Sequence, residues 1–269
     1  MDKIIINGSN RLSGEITVQG AKNSVLPILV ATLLIKGVSV IHNCPKISDV
    51  DATLKILEYL GCKVSRDGHT VTVDAADEIK NDVPEYLMHE MRSSIVFLGG
   101  ILGRTGTARL SAPGGCEIGL RPIDLHLSAM EQFGVTVESE NGFILCTAPE
   151  KGLKGTRLTL SFPSVGATEN IILAAVLAEG TTVITNAARE PEISDLADFL
   201  NRCGARIHGA GDSTVTIEGV KKLYPTEHTV IPDRIAASTY MIAAAVTGGK
   251  ICLKDINPTH IGPTLEPLR

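Results

Sequence analysis

The sequence predicts an α/β protein assembled from three related α/β units and the beginning of a fourth. Three observations lead there. A glycine-then-strand ending recurs at Leu60-Gly61-Cys62-Lys63-Val64, Phe133-Gly134-Val135-Thr136-Val137 and Cys203-Gly204-Ala205-Arg206-Ile207, with the glycines 73 and 70 residues apart. Each ending follows an amphipathic segment of helical period. Upstream of each lies a more uniformly apolar segment, closed by glycine and a short β-rich run. Self-similarity at a near-constant spacing marks a chain built from repeated supersecondary units.

The first apolar segment runs from Ser24 to Leu34, and a helix apolar on all sides belongs in an interior. Gly37-Val38-Ser39-Val40-Ile41 then predicts a strand. Val50, Leu54, Leu57 and Leu60 recur at helical spacing. Ser48 is the expected N-cap, Asp51 falls in the first turn, and Gly61 is the expected terminator. The second unit repeats the order with a buried helix from Arg92 to Leu102 and a strand at Gly106-Thr107-Ala108-Arg109-Leu110. In the surface helix before Gly134, Pro122 sits where a first-turn proline is tolerated. The third unit has a buried helix from Ala167 to Ala178, a strand at Gly180-Thr181-Thr182-Val183-Ile184, and a surface helix marked by Ser194, Leu196, Phe199, Leu200 and Cys203. Each unit reads as strand, buried helix, strand, surface helix and strand pair.

A fourth unit begins at Thr229-Val230-Ile231-Pro232-Asp233-Arg234. Its buried helix is expected at Ala236 to Ala245 and its strand at Lys250-Ile251-Cys252-Leu253. Thr264-Leu265-Glu266-Pro267-Leu268-Arg269 stands where a surface helix should begin, and no glycine-strand ending follows. The fourth unit is therefore expected to be incomplete.

Composition narrows the function. The 269 residues are 43% hydrophobic but only 3% aromatic, with no Trp, so the core must rest on aliphatic side chains. The net charge of −5 and the lack of a basic block argue against nucleic acid as a partner. Small anionic ligands remain compatible, because a few placed cations outweigh a mildly acidic surface. Met1-Asp2-Lys3-Ile4-Ile5-Ile6 lacks the apolar core of a signal peptide, and no apolar run approaches the length of a membrane span. The six Cys show neither Cys-x-x-Cys nor zinc spacing, so no metal is expected. Five of them read as reduced thiols, mostly filling the core of a cytoplasmic protein. Neither a Gly-x-Gly-x-x-Gly after a strand nor a Walker-type loop occurs.

Three helix starts are candidates for anion binding: Lys22-Asn23, Arg92, and Ser164-Val165-Gly166. On one face, their backbone N–H groups and dipoles would attract negative charge, and Lys22, Arg92 and Arg121 would add formal charge. The segment Pro113-Gly114-Gly115-Cys116-Glu117-Ile118-Gly119 has the glycine content of a loop that closes over a ligand. Arg121 nearby would lower the pKa of Cys116. By residue chemistry alone that thiol is nucleophile, acid or bystander. His126, on the helix that follows, reads as an ordinary surface or core histidine. The remaining histidines form no cluster.

Gly20-Ala21-Lys22-Asn23, Met91-Arg92-Ser93-Ser94, Pro113-Gly114-Gly115-Cys116 and Arg121-Pro122-Ile123-Asp124-Leu125-His126 together resemble the UDP-N-acetylglucosamine 1-carboxyvinyltransferases, enolpyruvyl transferases of the EPSP synthase family. Ser164-Val165-Gly166-Ala167-Thr168, Asn186-Ala187-Ala188-Arg189-Glu190-Pro191-Glu192 and Pro232-Asp233-Arg234 extend the likeness along the chain. The resemblance implies an inside-out α/β barrel, with residues 22–229 as one complete three-repeat domain. Residues 1–21 and 230–269 would then be an incomplete portion of a second domain. It implies transfer of an enolpyruvyl group from phosphoenolpyruvate to the 3-hydroxyl of UDP-N-acetylglucosamine, with release of phosphate and without a cofactor. Lys22 and Arg121 would hold the phosphoenolpyruvate phosphate. Asn23 and Arg92 would contact the sugar nucleotide or help close the site. Arg121, Pro122, Ile123, Asp124 and Leu125, with Ser164, Val165 and Gly166, would hold the uridine and diphosphate side. Cys116 would protonate the phosphoenolpyruvate methylene carbon and react with fosfomycin.

One departure is expected. In the family the second domain supplies an Asp for the sugar hydroxyl and further Arg residues, and those motifs are absent here. The alternatives are a fragment that binds UDP-N-acetylglucosamine or a partner subunit without turnover, and the sibling 3-phosphoshikimate 1-carboxyvinyltransferase activity.

Overall fold

The computed structural model of the chain describes residues 3–5, 8, 10–113 and 123–268. The described chain opens with β1 (Ser13–Thr17); the first repeat then comprises α1 (Lys22–Ala31) with a 3-10 turn at Thr32–Leu34, β2 (Val38–His42), α2 (Ser48–Leu60), β3 (Lys63–Asp67) and β4 (Thr70–Asp74). The second has β5 (Asp82–Val83), the short α3 (Glu85–Met88), a 3-10 turn at Arg92–Val96 leading into α4 (Phe97–Thr105), β6 (Thr107–Ser111), α5 (Asp124–Gln132), β7 (Thr136–Glu140) and β8 (Phe143–Thr147). The third has β9 (Arg157–Thr159), α6 (Val165–Ala175), β10 (Thr181–Thr185), α7 (Pro191–Arg202), β11 (Arg206–His208) and β12 (Thr214–Glu218). Then come β13 (Glu227–Thr229), α8 (Arg234–Thr247), β14 (Lys250–Lys254) and α9 (Gly262–Leu265). This is the α/β alternation that the sequence predicts.

Contacts divide the chain into two compact units, Lys22–Val230 and Met1–Ala21 with Ile231–Arg269. In the larger unit each repeat contributes a four-stranded sheet of one design, in the orders β13-β2-β4-β3, β5-β6-β8-β7 and β9-β10-β12-β11. The first two strands of each order run parallel and the others antiparallel. In the second and third sheets the parallel pair flanks its own buried helix, as a strand-helix-strand crossover requires. The first sheet is different. Its outer strand β13 arrives after the third repeat and pairs with Val40, Ile41 and His42 of β2. The last strand of the unit thus completes the first sheet.

A buried polar cluster fixes that closure. Ser24 on α1 donates its hydroxyl to Asp195 on α7. The other carboxylate oxygen of Asp195 meets Nε2 of His228 on β13 at 2.8 Å. All three residues are buried, and His228 also stands edge-on to Phe199.

The centre of the unit is helical. From Ser24 to Ala31 every residue of α1 is buried, as is every residue of α6 from Ala167 to Ala175. The sheets turn alternate residues inward, such as Ile41, Val71, Val73, Ile184, Val215 and Ile217. Helices inside and half-buried sheets outside is the arrangement the resemblance implies, and none of the sheets closes on itself among the described residues.

Glycine sets the distance between the central helices. A Cβ at Gly99 would overlap the Asn170 backbone carbonyl of α6. One at Gly100 would lie 2.7 Å from Val30 Cγ1, and one at Gly103 would lie 2.9 Å from Leu34 Cδ2 and 3.0 Å from Leu173 O. One face of α4 therefore admits α6 and the next admits α1, each at backbone distance.

Several sequence expectations change. Ser48 is not the N-cap of α2: that position is Ile47, while α7 starts at Pro191 after Glu190, and the proline supplies the preset φ of a first turn. Gly61 does terminate α2, at φ +110°. The apolar run from Arg92 is a 3-10 turn followed by an α-helix rather than one helix. In the smaller unit, β1 pairs in parallel with β14, and Val18, Ala237 and Ile261 form a small core. α8 was expected to be buried, yet only Ala237 and Ala244 are. Ile235, Ile242 and Val246 are exposed: among the described residues of this unit, only a two-stranded sheet, short turns and the four-residue α9 accompany the helix. Cys44, Cys62, Cys146 and Cys203 are buried as expected, whereas Cys252 is exposed on β14. Cys116 lies outside the described residues.

Gly99→Ala should lose about 1–3 kcal/mol of stability, the usual cost of overpacking. Gly262→Ala, where nothing lies within 4 Å, should change stability little. Urea denaturation of the two variants checks the contrast.

Candidate functional site

The starts of the three central helices meet in one cavity. It has a volume of about 550 Å³ and is lined by Lys22, Asn23, Arg92, Ser164, Val165 and Gly166 among others. That volume is in the range of small-molecule sites. Three further residues predicted from the resemblance, Ile123, Asp124 and Leu125, open α5 but do not line the cavity. Arg121 and Pro122, with Cys116, lie outside the described residues.

The local structure explains the convergence. Buried helices that pack at glycine distance bring their ends into register. Ser164 caps α6 by accepting from the Ala167 N–H at 3.3 Å. Val165 and Gly166 occupy the first turn, where N–H groups have no acceptor within the helix. Lys22 begins α1 and forms a 2.6 Å ion pair with Asp49 from the first turn of α2. Arg92 begins the 3-10 turn of the second repeat. The cavity rim therefore combines two cations with helix N-termini, and it favours an anion.

Acidic residues also line it. Asp49, Glu169 and Glu190 are in the wall. Glu169 is buried, and desolvation raises its pKa well above the usual value, with Glu192 and then Glu190 pushing the same way. Glu169 was missed in the sequence, although a carboxylate inside an otherwise apolar helix is a signal in itself. Buried charge is expensive, so such a group is held neutral or serves a site.

His126 was read as an ordinary histidine, and the structure instead places it in the cavity wall, buried. Its pKa is pushed down to about 4, chiefly by burial and then by the positive charge of Arg92. Its Nδ1 lies 2.7 Å from Nδ2 of Asn170. Asn170 is fully buried and also bonds the backbone of the second repeat. Its Oδ1 accepts the Gly99 N–H at 2.7 Å, and its Nδ2 donates to the Ile95 carbonyl at 3.0 Å. Ile95 and Gly99 are four residues apart, the pair an uninterrupted α-helix joins directly. The Asn170 amide bridges them where the 3-10 turn becomes α4. Side-chain insertion into the helical ladder is an established cause of such breaks.

Among the described residues no group of His, Cys, Asp and Glu is arranged to hold a metal ion, and no helix is long and apolar enough to cross a membrane.

The two buried ionisable groups make opposite demands on pH. Folding lowers the pKa of His126, so its contribution to stability is full above about pH 6.5 and is lost as pH falls towards 4. Folding raises the pKa of Glu169, so its contribution is full below about pH 4.5 and is lost as pH rises. Glu169→Gln should therefore raise the urea midpoint at pH 8 and leave it nearly unchanged at pH 4. His126→Gln should flatten the stability loss between pH 6.5 and 4, by up to roughly 3 kcal/mol at about 1.4 kcal/mol per pKa unit.

Comparison with known proteins agrees with this architecture. Residues 6–266 match the family model described as EPSP synthase (3-phosphoshikimate 1-carboxyvinyltransferase). The chain is 54% identical over 269 residues to UDP-N-acetylglucosamine 1-carboxyvinyltransferase 2 of Caldanaerobacter subterraneus subsp. tengcongensis, covering all of this chain and 64% of the relative. It is 47% identical over 269 residues to the UDP-N-acetylglucosamine 1-carboxyvinyltransferase of Desulfatibacillum aliphaticivorans, again covering all of this chain and 64% of the relative. The chain thus spans just under two thirds of the length of these relatives. Among solved structures, the enolpyruvyl transferase NikO from Streptomyces tendae superposes with a TM-score of 0.77 at 29% identity, covering 88% of this chain and 56% of that one. EPSP synthase from Acinetobacter baumannii shares the fold, with a TM-score of 0.74 at 22% identity, covering 97% of this chain and 60% of that one. Three sheets of one design around buried helices, a cationic cavity at the helix starts and a family match along nearly the whole sequence agree: the chain belongs to the EPSP synthase family of enolpyruvyl transferases.

Proposed function

We propose that this polypeptide acts in the transfer of an enolpyruvyl group from phosphoenolpyruvate to the 3-hydroxyl of UDP-N-acetylglucosamine, releasing phosphate, the first committed step of peptidoglycan precursor synthesis. The observation that carries the proposal is the cavity where three helix starts meet Lys22 and Arg92. Both substrates are anionic, and that cavity is built for anions. The names of the relatives at 47% and 54% identity favour the sugar nucleotide over shikimate phosphate.

In this proposal Lys22 and Arg121 hold the phosphoenolpyruvate phosphate. Asn23 and Arg92 contact the sugar nucleotide. Arg121, Pro122, Ile123, Asp124 and Leu125, with Ser164, Val165 and Gly166, hold its uridine and diphosphate. Cys116 is the general acid: its proton goes to the methylene carbon of phosphoenolpyruvate, leaving an oxocarbenium-like centre that the sugar hydroxyl attacks with loss of its own proton; the tetrahedral adduct then loses a methyl proton and its bond to phosphate, which forms the enol ether and releases phosphate. Cations fixed around the phosphate hold its negative charge, as ester and as leaving group, without reorganising. No cofactor enters this scheme. A cytoplasmic location fits the unpaired cysteines, of which four are buried among the described residues.

Phosphate should be released when the chain meets phosphoenolpyruvate and UDP-N-acetylglucosamine together. Release only with shikimate 3-phosphate would assign the sibling activity. Tight sugar-nucleotide binding without release would assign a binding fragment, consistent with the shorter span of the chain. Arg92→Ala should weaken UDP-N-acetylglucosamine binding about tenfold or more by calorimetry, since a hydrogen bond to a charged group is worth about 1.5–3 kcal/mol. Fosfomycin should add mass at Cys116 and not at Cys252, as read by peptide mass spectrometry.

A further inference from the structure

The hydrogen bonds of Asn170 decide the protonation of His126. An isolated Asn amide can be turned over, exchanging its oxygen and nitrogen. This one cannot. Its Oδ1 faces a backbone donor, the Gly99 N–H, and its Nδ2 faces a backbone acceptor, the Ile95 carbonyl. Turning the amide over would set donor against donor and acceptor against acceptor in a fully buried place, which costs the desolvation of both groups. With the amide fixed, the second hydrogen on Nδ2 points to Nδ1 of His126 at 2.7 Å. That ring nitrogen must accept, so it carries no proton. In a neutral imidazole the proton is then on Nε2.

The Cε1–Nε2 edge of the ring lies beside Gly166, at the start of α6. A Cβ at Gly166 would lie 3.1 Å from Cε1 and 3.5 Å from Nε2 of His126. Gly166 is in the first turn of α6, and both residues line the cavity. The missing side chain is what gives this edge its room.

We infer that Asn170 is a positioning residue that locks His126 as the Nε2–H tautomer, so that the ring offers the cavity a hydrogen-bond donor without a charge. The ligand it suits is an uncharged or shared acceptor oxygen next to the group held by Arg92, such as a carbonyl, hydroxyl or bridging oxygen of a nucleoside diphosphate sugar. The choice of ligand rests on the proposed function; the lock itself does not. The burial and the Arg92 charge that oppose protonation of the ring act in the same sense.

The test uses the full chain labelled with nitrogen-15 at histidine. Two-bond proton–nitrogen correlations should give the neutral Nε2–H pattern for His126 at pH 7. An Nδ1–H pattern, or an imidazolium, overturns the inference. Two substitutions read the same lock through UDP-N-acetylglucosamine binding. Glutamine places an amide nitrogen near the position of Nε2, and asparagine near that of Nδ1. His126→Gln should keep affinity within about threefold, while His126→Asn should lose about tenfold or more, equal to about 1.4 kcal/mol. Equal affinity for the two variants overturns the inference. If the chain shows the Nε2–H pattern but binds no sugar nucleotide, the lock stands and the proposed function falls.

Discussion

The contact between α4 and α6 governs the rest of the molecule. Glycines at 99 and 103 let the two backbones approach, and Asn170 fills the polar gap that this approach creates. Close packing without that amide would bury the Gly99 N–H and the Ile95 carbonyl at a break in the helix. The amide without the glycines would have no room. Together they set the depth of α6 against the second repeat, and so the position of its N-terminus with Ser164, Val165 and Gly166. The same side chain reaches α5 through His126. One buried residue therefore joins the packing of the interior to the wall of the cavity.

Much of the fold was legible in the sequence. Gly61 terminating α2 and the alternating strands after it are local effects, set by positive φ and by side-chain period. The apolar stretches of α1 and α6 announced burial correctly because they are buried on every side. The same signal failed for α8, since an apolar composition states what a helix needs and not whether a neighbour is present to supply it. Ser48 as the cap of α2 failed for a different reason. Asp49 and Asp51 mark the first turn of α2 whichever residue precedes it.

The site was legible in part. Lys22, Asn23, Arg92 and Ser164 lie at helix starts, a property of position that a sequence displays. Glu169 and His126 depend on contacts between repeats and have no local signature beyond polarity in apolar company. The cavity also balances its charges more than the basic motifs indicated. Lys22 is already paired with Asp49, and Glu190 also lines the wall. A ligand entering near Lys22 competes with a carboxylate for it, which moderates affinity for small free anions while leaving the helix ends available to larger ones.

The completion of the first sheet by β13 has a consequence for how the chain is made. The side chain of Asn43 bonds the Val230 carbonyl across 187 residues, and His228 carries the buried link to Asp195. During synthesis the first repeat emerges from the ribosome with the β2 edge open, and it stays open until the third repeat is complete. The second and third sheets have no such wait, because their outer strands precede their own helices. Contacts of such long sequence separation slow folding. Within the larger unit the first repeat is therefore finished after the other two, and its exposed edge is the segment of that unit most in need of protection from neighbouring nascent chains.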